Sequence, residues 1–525
     1  MTNNMMNLCF AGLVSCAISA ATACSDDSYG PDPDKDWAGT TEFFNSTDDA
    51  GFQTYYKPAI GRVGDPMPFY DQKAGEYKVL YLQEYDNNGP CYHPFWGVST
   101  KDGATYESMG EVLPTGSSVL EADAALGTGC AYYSEKEGLY YIYYTGHTQK
   151  EVVMRATSPD FKTWTKDAAW VLRGSDYGYS DQDFRDPQIF VADDGLYHMV
   201  ISSNLKFADF KSSDLKTWEH VGSFNMVWDR MCECPDIFKM GNYWYLVYSE
   251  GFRSAWSRKV KYMMATSFEG LKRCFDDPGA NWPKDGHEGV LDTRAFYAGK
   301  TASNGDERLI WGWSPYRTGA TLHDKNISVG ADGEPNWSGA LVCHKIIQHA
   351  DGTLTLGEVP AIKAKYAKEQ PLNVMDSKGY SGGTLTGDGA YVLYNRLGTC
   401  NHIEMTVKTS NNWDKFGISL VRGTDSKKYY TMVVNPEDEN HRKVNFEQEG
   451  AEGKGFIEGI DGYWFERPAD NTYHISIYTD NSVVVMYIND VCAYTQRIYG
   501  VQKNCWSINN YGGSITVSDV KVSQQ

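Results

Sequence analysis

Three short segments that follow one another decide the fold class: Asp186-Pro-Gln-Ile-Phe190, Leu196-Tyr-His-Met-Val-Ile201 and Ser213-Asp-Leu-Lys-Thr-Trp218. The first two are short runs rich in β-branched and aromatic residues between turn residues, which is the pattern of β-strands. The third is a polar turn segment that ends in an aromatic residue. Together they predict a unit built from strands and tight turns, with hardly any helical periodicity.

The same unit recurs along the first part of the chain, at spacings of about fifty to seventy residues. Further aromatic strands are found at Tyr77–Gln83, Leu139–Tyr144, Tyr243–Tyr248 and Arg308–Trp313. Each is preceded by a run that ends in an aromatic residue, at Asp65–Phe69, Thr128–Tyr132, Cys234–Phe238 and Asp292–Phe296. Strand-only repeats of this length predict the blades of a β-propeller, and five units predict five blades. An irregular β-sandwich is the alternative, and the fixed order of the elements argues against it.

The repeat pattern loosens between about Ala361 and Tyr380, where we place a domain boundary. Beyond it, Tyr473–Tyr478 and Ser482–Ile488 alternate strongly around a short polar turn, which predicts a β-hairpin. This half is expected to form a β-sandwich. The sequence therefore predicts an all-β protein, with a five-bladed β-propeller over residues 38–365 and a C-terminal β-sandwich over residues 366–525.

The N-terminus has the composition of a targeting segment. Leu8–Ala23 is apolar and too short for a comfortable membrane span. Ala21-Thr22-Ala23-Cys24 resembles a bacterial lipobox, and the acidic residues after it resemble the export signal of bacterial surface lipoproteins. The resemblance implies a signal peptide over residues 1–23, lipidation of Cys24, a tether over residues 24–37 and attachment to the outer membrane, at the cell surface or in the periplasm. A plain secretory peptide with an incidental cysteine is the alternative.

Composition narrows the class of partner. The formal net charge of -20 disfavours nucleic acid, because like charges repel the phosphate backbone. Aromatic residues make up 14% of the chain, which suits sugars, although most of these rings are expected to fill β-sheet cores. The 12 cysteines are scattered without metal-ligand or disulfide spacing, so most of them are expected to be buried free thiols. Neither a metal cluster nor a phosphate-binding glycine loop is evident, so we predict no cofactor.

The first strands of propeller blades surround a central channel, so their starting residues are expected to converge at one mouth. In this sequence those positions hold Asp65, Thr128, Asp186, Cys234 with Glu233 beside it, and Asp292. A single Asp before Pro is more often a turn residue, but several carboxylates crowded in a funnel indicate function. Glu233 lies one residue further from its strand aromatic than the aspartates do, so it needs a bulge or a looser approach to face the channel.

Three motifs lie at these positions: Arg62-Val-Gly-Asp65-Pro-Met-Pro, Arg185-Asp186-Pro187 and Glu233-Cys234-Pro235-Asp236. They resemble motifs of glycoside hydrolase family 32, the invertases, inulinases and levanases, and the last of the three is the most specific. The resemblance implies a five-bladed propeller followed by a β-sandwich. It also implies retaining hydrolysis of β-fructofuranosyl linkages in sucrose or in fructans such as inulin and levan.

The family's roles, carried over, make Asp65 the nucleophile and Glu233 the acid/base. Asp186 would bind fructose hydroxyls and stabilise an oxocarbenium-like transition state. The other expected substrate-binding residues are Gln83, Trp96, Thr128, Arg185, Asp292 and Trp313. For the two tryptophans, packing within a blade is an equally good explanation. Cys234 is expected to support Glu233 rather than act as a nucleophile.

The sequence also departs from the family pattern. Gly64 stands where the family has Asn, and Met67-Pro68 replaces Asn-Gly. Gly127 to Cys130 replaces a run that carries an aromatic residue and two serines in the family. Two alternatives therefore stay open. One is a related five-bladed hydrolase that acts with inversion on other plant glycans. The other is a surface glycan-binding protein that has lost turnover.

Overall fold

The computed structural model describes residues 50–85, 89–148, 150–203, 206–225, 232–250, 259–276, 289–293, 295–316, 337–422, 428–436, 443–447 and 463–525. Within these ranges the regular structure is almost entirely β-strand, with two short α-helices, so the prediction of an all-β chain is confirmed. The predicted signal peptide, lipidated Cys24 and tether lie outside the described residues. None of the described helices is long and apolar enough to cross a membrane.

Residues 62–357 form five successive antiparallel units, and the strands of each unit pair in chain order. Unit 1 has β1 (Arg62–Asp71), β2 (Glu76–Glu84), β3 (Phe95–Thr100) and β4 (Glu107–Leu113). Unit 2 has β5 (Leu126–Ser134), β6 (Leu139–His147), β7 (Glu151–Ser158) and β8 (Thr165–Leu172). Unit 3 has β9 (Arg185–Val191), β10 (Tyr197–Ser203), β11 (Lys206–Ser212) and β12 (Glu219–Asn225).

Units 4 and 5 follow the same order. Unit 4 has β13 (Cys232–Met240), β14 (Tyr243–Glu250), β15 (Val260–Ala265), the helix α1 (Phe268–Asp276) and β16 (Gly289–Val290). Unit 5 has β17 (Tyr297–Ser303), β18 (Arg308–Pro315), β19 (Gly339–Gln348) and β20 (Leu354–Gly357). The backbone of Val63 in β1 pairs with Gly339 in β19, which joins the last unit to the first.

The first strands of the five units contact one another in cyclic order, β1 to β5 to β9 to β13 to β17 and back to β1. Each first strand therefore has two other first strands as neighbours. The aromatic strands predicted from the sequence are the second strands, where alternate residues such as Tyr141 and Tyr143 are buried between units. That the five units are the blades of a propeller stays a prediction.

The polar segment of the repeat forms the same turn in units 1, 2 and 3, between the third and fourth strands. In unit 2 the Asp160 carboxylate accepts hydrogen bonds from the backbone N–H groups of Lys162 and Thr163, and Asp214 does the same in unit 3. Phe161 and Leu215 both have φ near +60° within this turn and are buried. The sequence repeat at Ser158–Trp164 and Ser213–Trp218 therefore reflects a repeated turn that delivers an apolar side chain to the core.

The C-terminal half begins after the helix α2 (Pro360–Lys365) and consists of short and long strands in two sheets. One sheet has the order β23 (Tyr380–Ser381), β24 (Thr384–Thr386), β35 (Ser514–Gln524), β26 (Cys400–Thr409), β31 (Thr472–Asp480), β32 (Val483–Ile488) and β33 (Cys492–Arg497), with β21 (Lys368–Glu369) on β35. The other has β22 (Val374–Lys378), β25 (Tyr391–Arg396), β34 (Cys505–Asn510), β27 (Phe416–Arg422), β28 (Lys428–Asn435), β29 (Lys443–Glu447) and β30 (Tyr463–Trp464).

The two sheets share one core, to which both contribute, for example Ile403 and Met486 from the first and Ile418 and Trp506 from the second. This is the arrangement of a β-sandwich. The predicted hairpin is β31 and β32, which pair from Ile475 with Ile488 to Asp480 with Val483. Eight cysteines are free thiols, and all of these but Cys91 are buried, as the sequence indicated.

The segment before β1 connects the two halves. The buried carboxylate of Asp480, at the end of β31, accepts hydrogen bonds from the backbone N–H groups of Gln53, Thr54 and Tyr55, at 2.9, 2.7 and 2.9 Å. The backbone of Tyr56 then bridges to Leu341 in β19 of unit 5. One short stretch of chain is therefore fixed to both the repeat units and the sandwich.

Candidate active site

A β-bulge lies near the start of each of the five first strands. Between two successive backbone pairs that join the first strand to the second, the first strand contains one residue more than the second. The residue that follows the last pair before the bulge is Asp65, Thr128, Asp186, Cys234 and Ala298 in units 1 to 5. A bulge re-aims the side chains around it, which is why bulges are frequent beside active sites. The cyclic contact of the first strands brings these positions together.

The bulge expected at Glu233 is present, between Glu233 and Asp236. It is not special to unit 4, because every unit has its own bulge at the equivalent place. Glu233 is therefore the last paired residue before its bulge, one register position earlier than Asp65 and Asp186. Its equivalents in units 1, 2, 3 and 5 are Gly64, Gly127, Arg185 and Tyr297. The site has two tiers: an upper tier that holds Glu233 and a lower tier that holds the two aspartates.

In the upper tier, the side chains from units 3, 4 and 5 bond to one another. Arg185 Nη2 donates to Glu233 Oε1 at 2.9 Å, and the Tyr297 hydroxyl donates to Glu233 Oε2 at 2.8 Å. Both oxygens of the carboxylate are therefore held, which fixes its orientation. Units 1 and 2 contribute glycines to this tier, and a Cβ added there would meet Trp337 beside Gly64 and Thr145 beside Gly127.

In the lower tier, Asp65 is held by its neighbours from units 2 and 5. The Thr128 hydroxyl donates to Asp65 Oδ2 at 2.7 Å, and Trp313 Nε1 donates to Oδ1 at 2.9 Å. Thr128 and Trp313 are 2% and 0% exposed, so both donors are fixed by packing, whereas Asp65 itself is partly exposed. The structure thus presents a carboxylate of defined orientation at an accessible position.

Asp186 is buried beside the other two acids. Its Oδ2 accepts the backbone N–H of Cys234 at 2.9 Å, and its own N–H donates to Thr145 Oγ1 at 3.0 Å. Arg185 Nε lies 3.8 Å from the same Oδ2, so one guanidinium lies between Asp186 and Glu233. Asp186 has φ +60° and Cys234 has φ +51°, a strained conformation for a residue with a side chain. Both residues directly follow the last backbone pair before the bulge of their strand.

Arg185 is surrounded by carboxylates. In addition to its bond with Glu233, Arg185 bonds through Nη1 to Asp183 and, at 3.0 Å, to Glu151. Glu151 also accepts the backbone N–H of Phe184. Burial alone would lower the pKa of Arg185, but the carboxylates raise it well above its ordinary value. A permanent positive charge between four acids compensates part of their mutual repulsion.

The pKa of Asp186 is raised far above that of an ordinary aspartate. Burial raises it to about 7, Arg185 opposes the rise, and the negative charges of Glu233 and Asp65 add to it. A carboxyl group with a raised pKa holds its proton more tightly in the folded state than in the unfolded state. Its contribution to stability is fully present below the ordinary value of 3.8 and is lost as the pH rises through about 7.

We therefore expect Asp186→Asn to stabilise the protein at alkaline pH, because asparagine resembles the protonated acid at every pH. The gain at pH 8 should be up to about 4 kcal/mol in the free energy of unfolding, and less than half of that at pH 5. Thermal melting of both proteins at the two pH values measures the effect. An equal gain at both pH values, or a loss at pH 8, would contradict the raised pKa.

Of the six other predicted site residues, three contact the acids: Thr128, Arg185 and Trp313. Gln83 lies fully buried in β2 and donates to the carbonyl of Ile60 at 2.6 Å. Trp96, in β3, pairs with Tyr81 and packs against the core between units 1 and 5. The structure shows no contact of either side chain with the three acids.

The placement of Asp292 at the channel mouth is wrong. The first strand of unit 5 begins at Tyr297, so Asp292 precedes it and is 0% exposed. Its Oδ1 accepts the backbone N–H of Thr495, in β33 of the sandwich, at 2.9 Å, and its Oδ2 lies 3.1 Å from His344 Nε2. Asp292 therefore belongs to the contact between the two halves of the chain. The residue that unit 5 does contribute to the lower tier is Ala298.

Sequence reasoning missed two residues that the structure places at or below the acids. Tyr297 bonds to Glu233, and Lys300 is buried three residues further along β17. Lys300 Nζ donates to the carbonyl of Gly129 at 3.0 Å, directly after Thr128, and lies 3.4 Å from Gln188 Oε1. Correct placement of the unit 5 strand would have revealed Tyr297 as the register equivalent of Arg185 and Glu233. Among the described residues, no group of acids, histidines and cysteines has the arrangement of a metal site.

Comparison with known families covers nearly all of the described chain. Residues 56–356 match the family model "Glycosyl hydrolases family 32 N-terminal domain", and residues 352–522 match "GH32, BT1760-like, C-terminal domain". The sucrose-6-phosphate hydrolase of Staphylococcus xylosus is 24% identical over 336 residues, covering 61% of this chain and 64% of the relative. A fructan 1-exohydrolase of Leymus chinensis is 26% identical over 353 residues, covering 61% of this chain and 55% of the relative. The chain thus spans less than two thirds of the length of these two relatives.

Solved structures show the same fold over more of the chain. The exo-inulinase of Aspergillus awamori superposes with a TM-score of 0.68 at 15% identity, covering 94% of this chain and 98% of that one. At this identity the likeness concerns the fold alone.

Proposed function

Because the chain belongs to glycoside hydrolase family 32, we propose that it is a retaining glycosidase that cleaves β-fructofuranosyl linkages in sucrose or fructans. The observation that carries the proposal is the two-tier arrangement of acids. Asp65 is oriented by Thr128 and Trp313 at an accessible position, while Asp186 and Glu233 share the guanidinium of Arg185. The names of the relatives, a sucrose-6-phosphate hydrolase and a fructan exohydrolase, support the choice of linkage.

In the proposed reaction, Asp65 attacks the anomeric carbon of the fructosyl unit while Glu233 protonates the departing oxygen. A covalent fructosyl–Asp65 ester results, and Glu233, now ionised, removes a proton from the water that hydrolyses the ester. The fructose product keeps the configuration of the substrate. The hydrogen bonds from Thr128 and Trp313 leave Asp65 little freedom to rotate, which favours a near-attack geometry.

Glu233 has to carry a proton when it meets the leaving oxygen. In the ligand-free structure its two oxygens accept hydrogen bonds from Arg185 and Tyr297. Asp186, whose pKa is raised to about 7 by burial, lies beside the same guanidinium. Once ionised, Asp186 would accept sugar hydroxyls and face the positive charge that develops on the sugar ring.

We infer that the substrate is uncharged. The formal net charge of the chain is -20. Among the described residues of the site, the guanidinium of Arg185 is already bonded to three carboxylates, and Lys300 is 2% exposed. A sugar phosphate would have to compete with those carboxylates for the same cation.

Incubation with sucrose, inulin, levan and sucrose 6-phosphate tests the proposal. We expect free fructose from one or more of the first three and little from the last. The NMR spectrum of the first-formed product should show the β-anomer, because the mechanism retains configuration. An initial α-anomer would instead identify an inverting enzyme, and sugar binding without release would favour a glycan-binding protein.

We propose that the five units form a five-bladed β-propeller with the acids at the mouth of its channel. The cyclic contact of β1, β5, β9, β13 and β17 supports this architecture. Residues 38–365 would then be the catalytic domain and residues 366–525 the β-sandwich domain.

We also propose that the protein is exported and anchored through a lipid on Cys24, at the bacterial outer membrane. The support is the sequence Ala21-Thr22-Ala23-Cys24 alone, which lies outside the described residues. Labelling of the wild type with a radioactive fatty acid, and its loss in Cys24→Ala, would test the attachment.

A further inference from the structure

Below the two tiers that hold the acids, the first strands carry a third tier. It is formed by the residue of the first backbone pair after each bulge, which is Met67, Gly129, Gln188, Asp236 and Lys300 in units 1 to 5. Lys300 has the longest side chain of the five and is 2% exposed. The third tier therefore holds a buried cation.

The side chain of Lys300 crosses the ring of first strands. In the cyclic order β17 lies between β13 and β1, so β5 and β9 are on the far side of the ring. Lys300 Nζ nevertheless donates to the carbonyl of Gly129 in β5 at 3.0 Å and lies 3.4 Å from Gln188 Oε1 in β9. The amino group therefore lies inside the ring, in contact with the two units that are not neighbours of unit 5.

The carbonyl that Lys300 bonds belongs to the bulge of unit 2, which orients the proposed nucleophile. Gly129 directly follows Thr128, whose hydroxyl donates to Asp65 at 2.7 Å. The carbonyl of Thr128 accepts the hydroxyl of Thr145 at 2.9 Å, so two successive carbonyls of the bulge are bonded. A backbone fixed in this way leaves Thr128 little freedom to turn away from Asp65, which keeps the carboxylate in a geometry suited to attack.

The charge of Lys300 acts on both sides of the ring. Burial raises the pKa of the Cys234 thiol in unit 4 well above its ordinary value, Asp186 and Asp65 raise it further, and Lys300 opposes the rise. Burial also raises the pKa of the Cys130 thiol in unit 2 to about 11, and Lys300 is the largest effect that opposes it. Cys234 donates its backbone N–H to Asp186, so the same positive charge reaches the acids.

Two other buried carboxylates near β17 are compensated chiefly by other cations. Burial raises the pKa of Asp236 in β13, and Arg308 opposes the rise more than Lys300 does. Glu250 in β14 forms an ion pair with Lys261 in β15. The charge of Lys300 is therefore not consumed by a carboxylate of the third tier.

We propose that Lys300 is a positioning residue of the reaction, which reaches across the ring to fix the bulge of unit 2 and places a positive charge below the three acids. This inference rests on the proposed glycosidase function. The hydrogen bond to Gly129 keeps the Thr128 hydroxyl aimed at the nucleophile, and the charge favours the ionised carboxylate that nucleophilic attack requires. Because its side chain is buried, Lys300 acts through the nucleophile and not on the sugar.

Lys300→Met tests both parts of the proposal, because methionine keeps the apolar stem and removes the N–H donor and the charge. We expect kcat to fall on the order of 100-fold, as misplacement by about 1 Å does, with KM within about 3-fold of the wild type. The acidic limb of the pH profile of kcat/KM should also move about one unit to higher pH, because carboxylates ionise less readily without a nearby positive charge. Initial rates of fructose release across a range of pH measure both effects.

Two further substitutions separate the hydrogen bond from the charge. Lys300→Arg keeps the charge and N–H donors, so it should recover at least about 10-fold of the lost kcat with the acidic limb in its wild-type place. Lys300→Gln keeps N–H donors without the charge, so it should move the limb with a smaller loss of kcat. Lys78→Met is the matched control, because Lys78 is a buried lysine opposite Phe69, towards the other end of β1. It should leave kcat within about 2-fold and the limb unchanged.

Wild-type activity in Lys300→Met would overturn the proposal. A loss of activity in Lys300→Met and Lys300→Gln with an unmoved acidic limb would overturn it as well, because packing alone would produce that result. Should Lys300→Met fail to fold, Lys300→Gln and Lys300→Arg decide the question, since both keep donors and differ in charge. These comparisons require an active wild type, so a wild type that releases no fructose would refute the proposed function itself.

Discussion

Asp65→Asn is expected to abolish turnover, with a fall in kcat on the order of 10⁵-fold, because it removes the nucleophile but keeps its shape. Asparagine can still accept the N–H of Trp313 through its oxygen, and the Thr128 hydroxyl can rotate to accept from its amide. The fold should therefore survive, and the loss can be assigned to chemistry. Steady-state release of fructose from the best substrate of the panel measures the effect.

Asp71 provides a matched control for this substitution. It lies at the other end of β1, is buried, and accepts a 3.0 Å hydrogen bond from the hydroxyl of Tyr140. Asp71→Asn makes the same chemical change on the same strand, remote from the acids, and should leave kcat within about 2-fold of the wild type. Retention of a tenth of the activity by Asp65→Asn would exclude Asp65 as the nucleophile.

Glu233→Gln is expected to lower kcat by about 10²- to 10⁴-fold, the usual contribution of a general acid/base. The loss should depend on the leaving group. A nitrophenyl β-fructofuranoside, whose phenolate leaves without protonation, should still form the fructosyl–Asp65 ester quickly. Hydrolysis of the ester would then be slow, since water lacks its base. Azide needs no base, so millimolar azide should restore turnover and yield fructosyl azide of retained configuration.

The same substitution at Glu404, on the surface of the sandwich, is the control and should change neither rate. If the loss in Glu233→Gln were equal for sucrose and for the activated substrate, and azide had no effect, Glu233 would not be the acid/base. Tyr297 or Arg185 would then have to be examined, since both bond directly to its carboxylate.

The repeats predicted much of this arrangement because they mark strands by aromatic residues at constant spacing. Phe69, Phe190 and Phe238 each lie in the first strand of their unit, so counting back from them located Asp65, Asp186 and the neighbourhood of Glu233. In unit 5 the aromatic residue does not lie inside the first strand, so counting back from it gave the wrong position. Phe296 comes just before its strand, and the equivalent position inside it is Ala302. The count therefore ended at Asp292 instead of Ala298.

Other features depend on contacts between distant parts of the chain, which no local pattern encodes. A bulge is visible only when a strand is paired, so the sequence could suggest one at Glu233 but not that all five first strands have one. Likewise, Gly64 could be recognised as a departure from the family pattern. The indole of Trp337, which a Cβ at position 64 would meet, comes close to it only once unit 5 pairs with unit 1.

The shared bulge has an evolutionary consequence. Each unit delivers one side chain from the same kink, yet only Asp65 and Asp186 are acids there, while the remaining kinks hold Thr128, Cys234 and Ala298. Because the kink is a property of strand pairing, the residue on it can be exchanged without redesigning the surrounding sheet. New reactivity can therefore be acquired one point mutation at a time, and directed evolution of this scaffold should begin with the alanine, which donates no functional group at present.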